Sequence, residues 1–133
     1  MKELTKAEEQ VMHILWKLEK GIVKDIVGQF PDPKPAYTTV ATVLKVLEKK
    51  GFVTHESVGN TYVYLPAITK RSYSGFQFSK LFTNYFNGSF PQMAAHFARA
   101  NNLSIQDLDE LIEQTKKELD GTQQAGKFKN SKS

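Results

Sequence analysis

The stretch AYTTVATVLKVLEKKG, Ala36 to Gly51, carries hydroxyls at Thr38, Thr39 and Thr42 and ammonium groups at Lys45, Lys49 and Lys50. Hydroxyls and threonine methyls suit phosphate oxygens and base edges, and ammonium groups suit phosphate or guanine. Whether they can act together depends on the backbone. Thr and Val composition alone suits a strand, but a helical advance of about 100° per residue from Val40 brings Val43, Leu44 and Leu47 within about 60° of it. That is one buried stripe, with Gly51 where a helix tends to stop. On the far side Thr38, Thr42, Lys45 and Lys49 fall within about 60° of one another, with Thr39 off centre. Every amphipathic helix has a polar face, yet Thr is a poor choice for a merely solvated one, where Lys, Glu and Gln have better propensity. The spacing predicts a helix and leaves a solvated face and a DNA-contacting one equally open, and the three threonines favour a face offered to the major groove of double-stranded DNA. Tyr37, at its start, either joins that face or wedges against the preceding helix.

Other chemistries find little support. His13, His55 and His96 fall in three separate elements with no acidic partner at ligand spacing, so neither a metal site nor a catalytic constellation is expected. There is no cysteine, which excludes disulfides, thiol nucleophiles and Cys-based metal sites. No nucleophile elbow, phosphate loop or paired-acid motif occurs. The expectation is a protein that is not an enzyme and needs no cofactor.

The elements around the polar helix follow from pattern. LTKAEEQVMHILWKL has Thr5 and Glu8 spaced as a capping box, Leu4 as a staple, and Val11, Ile14, Leu15 and Leu18 as an apolar stripe. Met12 and Trp16 read as packing residues. VKDIVGQF is a shorter helix, broken by PDPKP. After Gly51 the period changes to two: FVTHESV and TYVYL flank Gly59-Asn60, a hairpin turn, and Pro66 ends the second strand. Three helices and a hairpin are the order of a winged helix-turn-helix module, whose third helix can enter a major groove. The hairpin residues His55, Glu56, Ser57, Asn60 and Thr61 include no Lys or Arg, so wing contacts fall to neutral groups such as Asn60.

Residues 67–120 read as a second, all-helical unit. Its first helix spreads Tyr73, Phe76, Phe78, Leu81, Phe82, Tyr85 and Phe86 over more than half its circumference, more than one neighbour can cover. A second helix follows Ser89 and Pro91, and a third begins at Leu103-Ser104, with Ile105, Leu108, Leu111, Ile112, Thr115 and Leu119 in a stripe. A unit of about 54 residues is near the lower limit for a core of its own, yet it holds eight aromatics. The expectation is a core shared between two copies, through Phe78, Phe82, Tyr85 and Phe86 of one helix and Leu108, Leu111, Ile112 and Leu119 of another. The aromatics could instead line a pocket for a small ligand. The tail, 121–133, is Gly, Ser, Gln and Lys with one Phe and reads as disordered.

The 133 residues carry a net charge of +4. Residues 1–66 hold nine Lys/Arg against eight Asp/Glu, 67–120 hold six against six, and the tail holds three against none. Neither folded part attracts a polyanion by its overall field, so contact must come from a local cluster. No apolar run is long enough to insert in a membrane and MKELTKAEEQ is not a leader, so a cytoplasmic location is expected.

LTKAEEQVMHILW, AYTTVATVLKVLEKKGFV, TYVYLP and NGSFPQMAAHFARANNLSIQDLDELIEQ, in that order over residues 4–120, resemble the penicillinase repressor (BlaI/MecI/CopY) family of winged-helix transcriptional regulators. The resemblance implies a mainly α fold with a small β-hairpin wing: residues 1–66 a DNA-binding domain, 67–120 a dimerisation domain. It implies a homodimer on a palindromic operator, repressing genes of antibiotic resistance or metal handling. In the antibiotic branch a membrane sensor protease system triggers cleavage before a Phe, which maps here to His96-Phe97; that branch has Asn where this chain has His96. The copper branch ends in a cysteine-rich motif that this chain lacks. A protein-interaction module on the same fold and a ligand-gated regulator are the competing expectations.

Overall fold

The computed structural model describes residues 1–126. Among them are six helices and one antiparallel hairpin: α1 Lys6–Leu18, α2 Val23–Gln29, α3 Tyr37–Lys49, β1 Val53–Val58, β2 Thr61–Pro66, α4 Lys70–Phe86, α5 Phe90–Ala100 and α6 Ile105–Gly126. The mainly helical fold with a hairpin wing is as expected. α1 starts at a complete capping box. Thr5 Oγ1 accepts from the Glu8 amide at 3.2 Å, and Glu8 Oε1 accepts from the Thr5 amide at 2.9 Å. The hairpin pairs Val58 with Thr61 across Gly59-Asn60. Gly59 has φ of 62°, which glycine adopts at little cost, and the positive first position is the II′ arrangement that matches strand twist.

Two compact units are present, Met1–Lys80 and a second from Leu81 onward. The core of the first is Val11, Met12 and Leu15 of α1, Val23 and Ile26 of α2, and Val40, Leu44 and Leu47 of α3. Phe52, Val53 and Tyr64 close it from the hairpin side. This unit reaches further than the expected boundary after Pro66, because the start of α4 is bound into it. Tyr73 is buried, its ring beside Phe52 and Trp16 and its hydroxyl donating to Glu9 Oε2 at 2.6 Å. Trp16 Nε1 donates to the Ile68 carbonyl at 2.8 Å, so its polar edge is satisfied as its ring packs.

In the second unit α4 ends at Asn87 and Gly88, both at positive φ. The Gly88 amide donates to the Phe82 carbonyl and Ser89 caps α5 by accepting from the Gln92 amide at 3.2 Å. Ser104 and Asp107 exchange side-chain to backbone hydrogen bonds at 3.0 Å and start α6. α6 continues to Gly126, past residue 120 where the expected tail began. The rest of that tail, 127–133, lies outside the described residues. No helix among the described residues is long and apolar enough to cross a membrane.

Candidate nucleic-acid interface

α3 turns its three buried side chains, Val40, Leu44 and Leu47, into the core, with Val43 half-buried. Thr38, Thr39, Thr42, Lys45 and Lys49 are consequently exposed on the outer side, together with Tyr37, which is 60% exposed. Thr42 Oγ1 donates to the Thr38 carbonyl at 2.9 Å. With its proton engaged inside the helix, Thr42 offers its methyl and an oxygen lone pair outward.

The turn before α3 is braced from below. Lys34 Nζ donates to the Phe30 carbonyl at 2.6 Å and the Gly28 carbonyl at 3.2 Å. Those carbonyls belong to the end of α2, where a cation also suits the helix dipole. Lys34 therefore ties the chain entering α3 to the end of the helix before it.

Lys50 does not join the outer face. Its ammonium lies 2.6 Å from Glu8 Oε1 and donates to the Glu3 carbonyl at 3.0 Å. A cation this close to a buried carboxylate neutralises it, so the structure places Lys50 apart from the other lysines and threonines of α3. At the turn of the wing Asn60 is exposed. His55 of β1 sits behind it, with Nδ1 2.9 Å from both oxygens of Glu48 on α3 and its ring stacked on Tyr62 at 4.2 Å. The pair joins the end of α3 to the wing, and the stack orients the Tyr62 ring.

Two groups escaped the reading of the sequence. Lys24 and Tyr62 line a groove of about 460 Å³ with Tyr37, Lys45 and Asn60. They come together because Gly21 pairs with Tyr64 in an isolated β-bridge, amide to carbonyl at 3.0 and 2.8 Å. Neither helical nor strand period links residue 21 to residue 64.

In the second unit Tyr85, Leu111, Ile112 and Leu119 are exposed, Phe82, Phe86 and Leu108 are half-buried. Phe78, at the end of the first unit, is also exposed. His96 and Phe97 lie in the middle of α5, both exposed, with the His96 ring 5.6 Å from that of Phe86. No cluster of side chains able to hold a metal ion occurs among the described residues.

Three packed helices, a two-stranded wing and an exposed third helix of hydroxyls and ammoniums define a winged-helix DNA-binding regulator. The chain belongs to the penicillinase repressor family, whose model matches residues 4–117. It is therefore a transcriptional repressor rather than an enzyme. It is similar to the penicillinase repressor of Bacillus licheniformis, with 25% identity over 112 residues, 84% of this chain and 88% of that protein. Two solved structures are also similar. A CopR repressor shares 33% identity over 49% of this chain and 96% of its own, at a TM-score of 0.42. A possible transcriptional regulator for arsenical resistance shares 20% over 57% and 79%, also at 0.42.

Proposed function

We propose that the protein represses as a homodimer, placing two α3 helices in successive major grooves of a palindromic operator. The observation that carries this reading is the outward face of α3, where Thr38, Thr39, Thr42, Lys45 and Lys49 are exposed together above a closed core. The threonines and Asn60 supply neutral contacts, and the two lysines supply the ionic ones. With so few cations each half-site is weak, and joining two copies raises the effective concentration of the second half-site. The apolar side chains left exposed on α4 and α6, among them Tyr85, Leu111, Ile112 and Leu119, support pairing through the second unit.

Repression ends when that pairing is cut or loosened. The bond between His96 and Phe97 is the candidate cut, in a family whose antibiotic branch answers to a membrane sensor protease. Because the bond lies within α5, a protease gains it only after local opening of the helix. Gel-shift titration on DNA from upstream of the protein's own coding region, at several salt concentrations, tests operator binding. A steep fall in affinity with salt is expected, and a flat response would refute phosphate contact. Mass spectrometry of the protein recovered from induced cells tests the cut: a fragment beginning at Phe97 is expected, and intact chain alone would refute cleavage.

A further inference from the structure

We infer that the groove between α2, α3 and the wing is a seat for the DNA phosphate backbone, in which Lys24, Tyr37 and Tyr62 act beside Lys45 and Asn60. This rests on the DNA-binding reading above and adds three residues to it, two of them in elements outside α3. The chemistry of the lining is one-sided. It holds two ammonium groups and phenol hydroxyls but no carboxylate among the described residues. An anion seated in the groove would meet both ammonium groups.

The lining is also held in place before any ligand arrives. The Gly21–Tyr64 bridge ties the chain just before α2 to β2, which brings Lys24 into one groove with the wing. Tyr62 leans on His55, and His55 is held by both oxygens of Glu48 at 2.9 Å. Tyr62 and Tyr37, both lining the groove, are 51% and 60% exposed, large aromatic surfaces left in water. Lys24 stands in the first turn of α2, where a cation opposes the helix dipole and adds nothing to folding.

An extended polyanion fits this groove better than a small anion. The groove is open, and it continues through Lys45 onto the threonine face of α3 and through Asn60 onto the wing tip. A duplex that receives α3 in its major groove carries one strand past these same walls. The phosphate then lies between the two ammonium groups, with the tyrosine hydroxyls donating to its free oxygens.

Phosphate contacts are independent of sequence, so a labelled random 30-base-pair duplex serves as the probe, read by fluorescence anisotropy across a salt series. Lys24→Gln is expected to reduce the slope of log affinity against log salt by about 0.9, the value of one phosphate contact. Lys24→Arg should restore it. Tyr37→Phe and Tyr62→Phe should each weaken binding roughly two- to tenfold, the worth of one hydrogen bond, with the slope unchanged. Lys24, Tyr37, Tyr62 and Lys45, the four positions substituted in this series, are exposed, and thermal melting of each variant verifies the fold. A wild-type slope in Lys24→Gln, or wild-type affinity in both tyrosine variants, overturns the seat. Lys45→Gln separates the two readings. If it lowers the slope while Lys24→Gln does not, the seat falls and the α3 interface stands; if neither lowers it, both fall.

Discussion

At the residue scale the most consequential side chain away from the proposed DNA face is Glu8, 7% exposed. Burial pushes its carboxyl up, but Lys50 and the Thr5 amide pull harder and leave it below its ordinary 4.5. A depressed carboxyl contributes stability that is complete above 4.5 and is lost as pH falls through the lower folded value. Lys50→Met removes the partner and strands a buried charge, which should cost about 2–4 kcal/mol at pH 7 in urea unfolding. The gap between variant and wild type should narrow below pH 4.5, where Glu8 protonates; equal stability at pH 7 would refute the pairing. Tyr73 is the second such residue. Burial, then the hydrogen bond to Glu9, holds its phenol well above the ordinary 10. Tyr73→Phe should destabilise the first unit by about 1–3 kcal/mol, the value of a hydrogen bond to a charged acceptor. On the proposed DNA face, Thr42→Ala and Lys45→Glu should leave the melting temperature within the range of surface changes. Both should lose operator in gel shifts, and full retention by either would argue for a protein-interaction module instead.

At the scale of elements the question is what makes α3 a rigid probe. It has no side-chain cap at Ala36, so its start is not held by its own residues. Lys34 on the end of α2, the Glu48–His55 contact and the Lys50–Glu8 pair hold it at its entry and its exit. Buried packing does the rest. Leu44→Ala opens a cavity at the centre of the three-helix core and should cost about 2–5 kcal/mol in chemical denaturation. Lys34→Met is a subtler test of positioning. Its side chain is 43% exposed in the ion pair with Asp32, so stability should move by less than about 1 kcal/mol. DNA affinity should nevertheless fall, because the chain entering α3 loses its anchor. Affinity equal to wild type in Lys34→Met would show that core packing alone aims the helix.

At the scale of the whole molecule, the proposed homodimer would make affinity depend on copy number, because each α3 face carries few cations. Linking two sites can raise apparent affinity by about 10²–10⁴ without a new contact. Replacing Leu111 and Ile112 together by Asp should therefore yield monomers in sedimentation equilibrium. The same variant should lose operator affinity by about that factor, while the melting of the first unit stays put. A dimer that survives the double change would place the pairing surface elsewhere.

Local sequence determined a great deal of this protein, because its signals act over short spans. The Thr5–Glu8 box, the valine and leucine stripe of α3, and Gly59-Asn60 between two alternating runs each specify their element within a few residues, and the structure places all three. The outward direction of Thr38, Thr42, Lys45 and Lys49 follows from the same helical period. Tertiary structure decided what depends on distant partners. Lys50 reads as one more cation beside Lys49, and only the approach of α1 turns it inward onto Glu8. Tyr73 reads as part of the second unit, yet Glu9, Trp16 and Phe52 draw it into the first. Lys24 and Tyr62 meet across a groove only because Gly21 pairs with Tyr64. Periodicity encodes which face a residue occupies, whereas the neighbour it meets depends on how elements pack, and that is settled by burial and charge pairing across the fold.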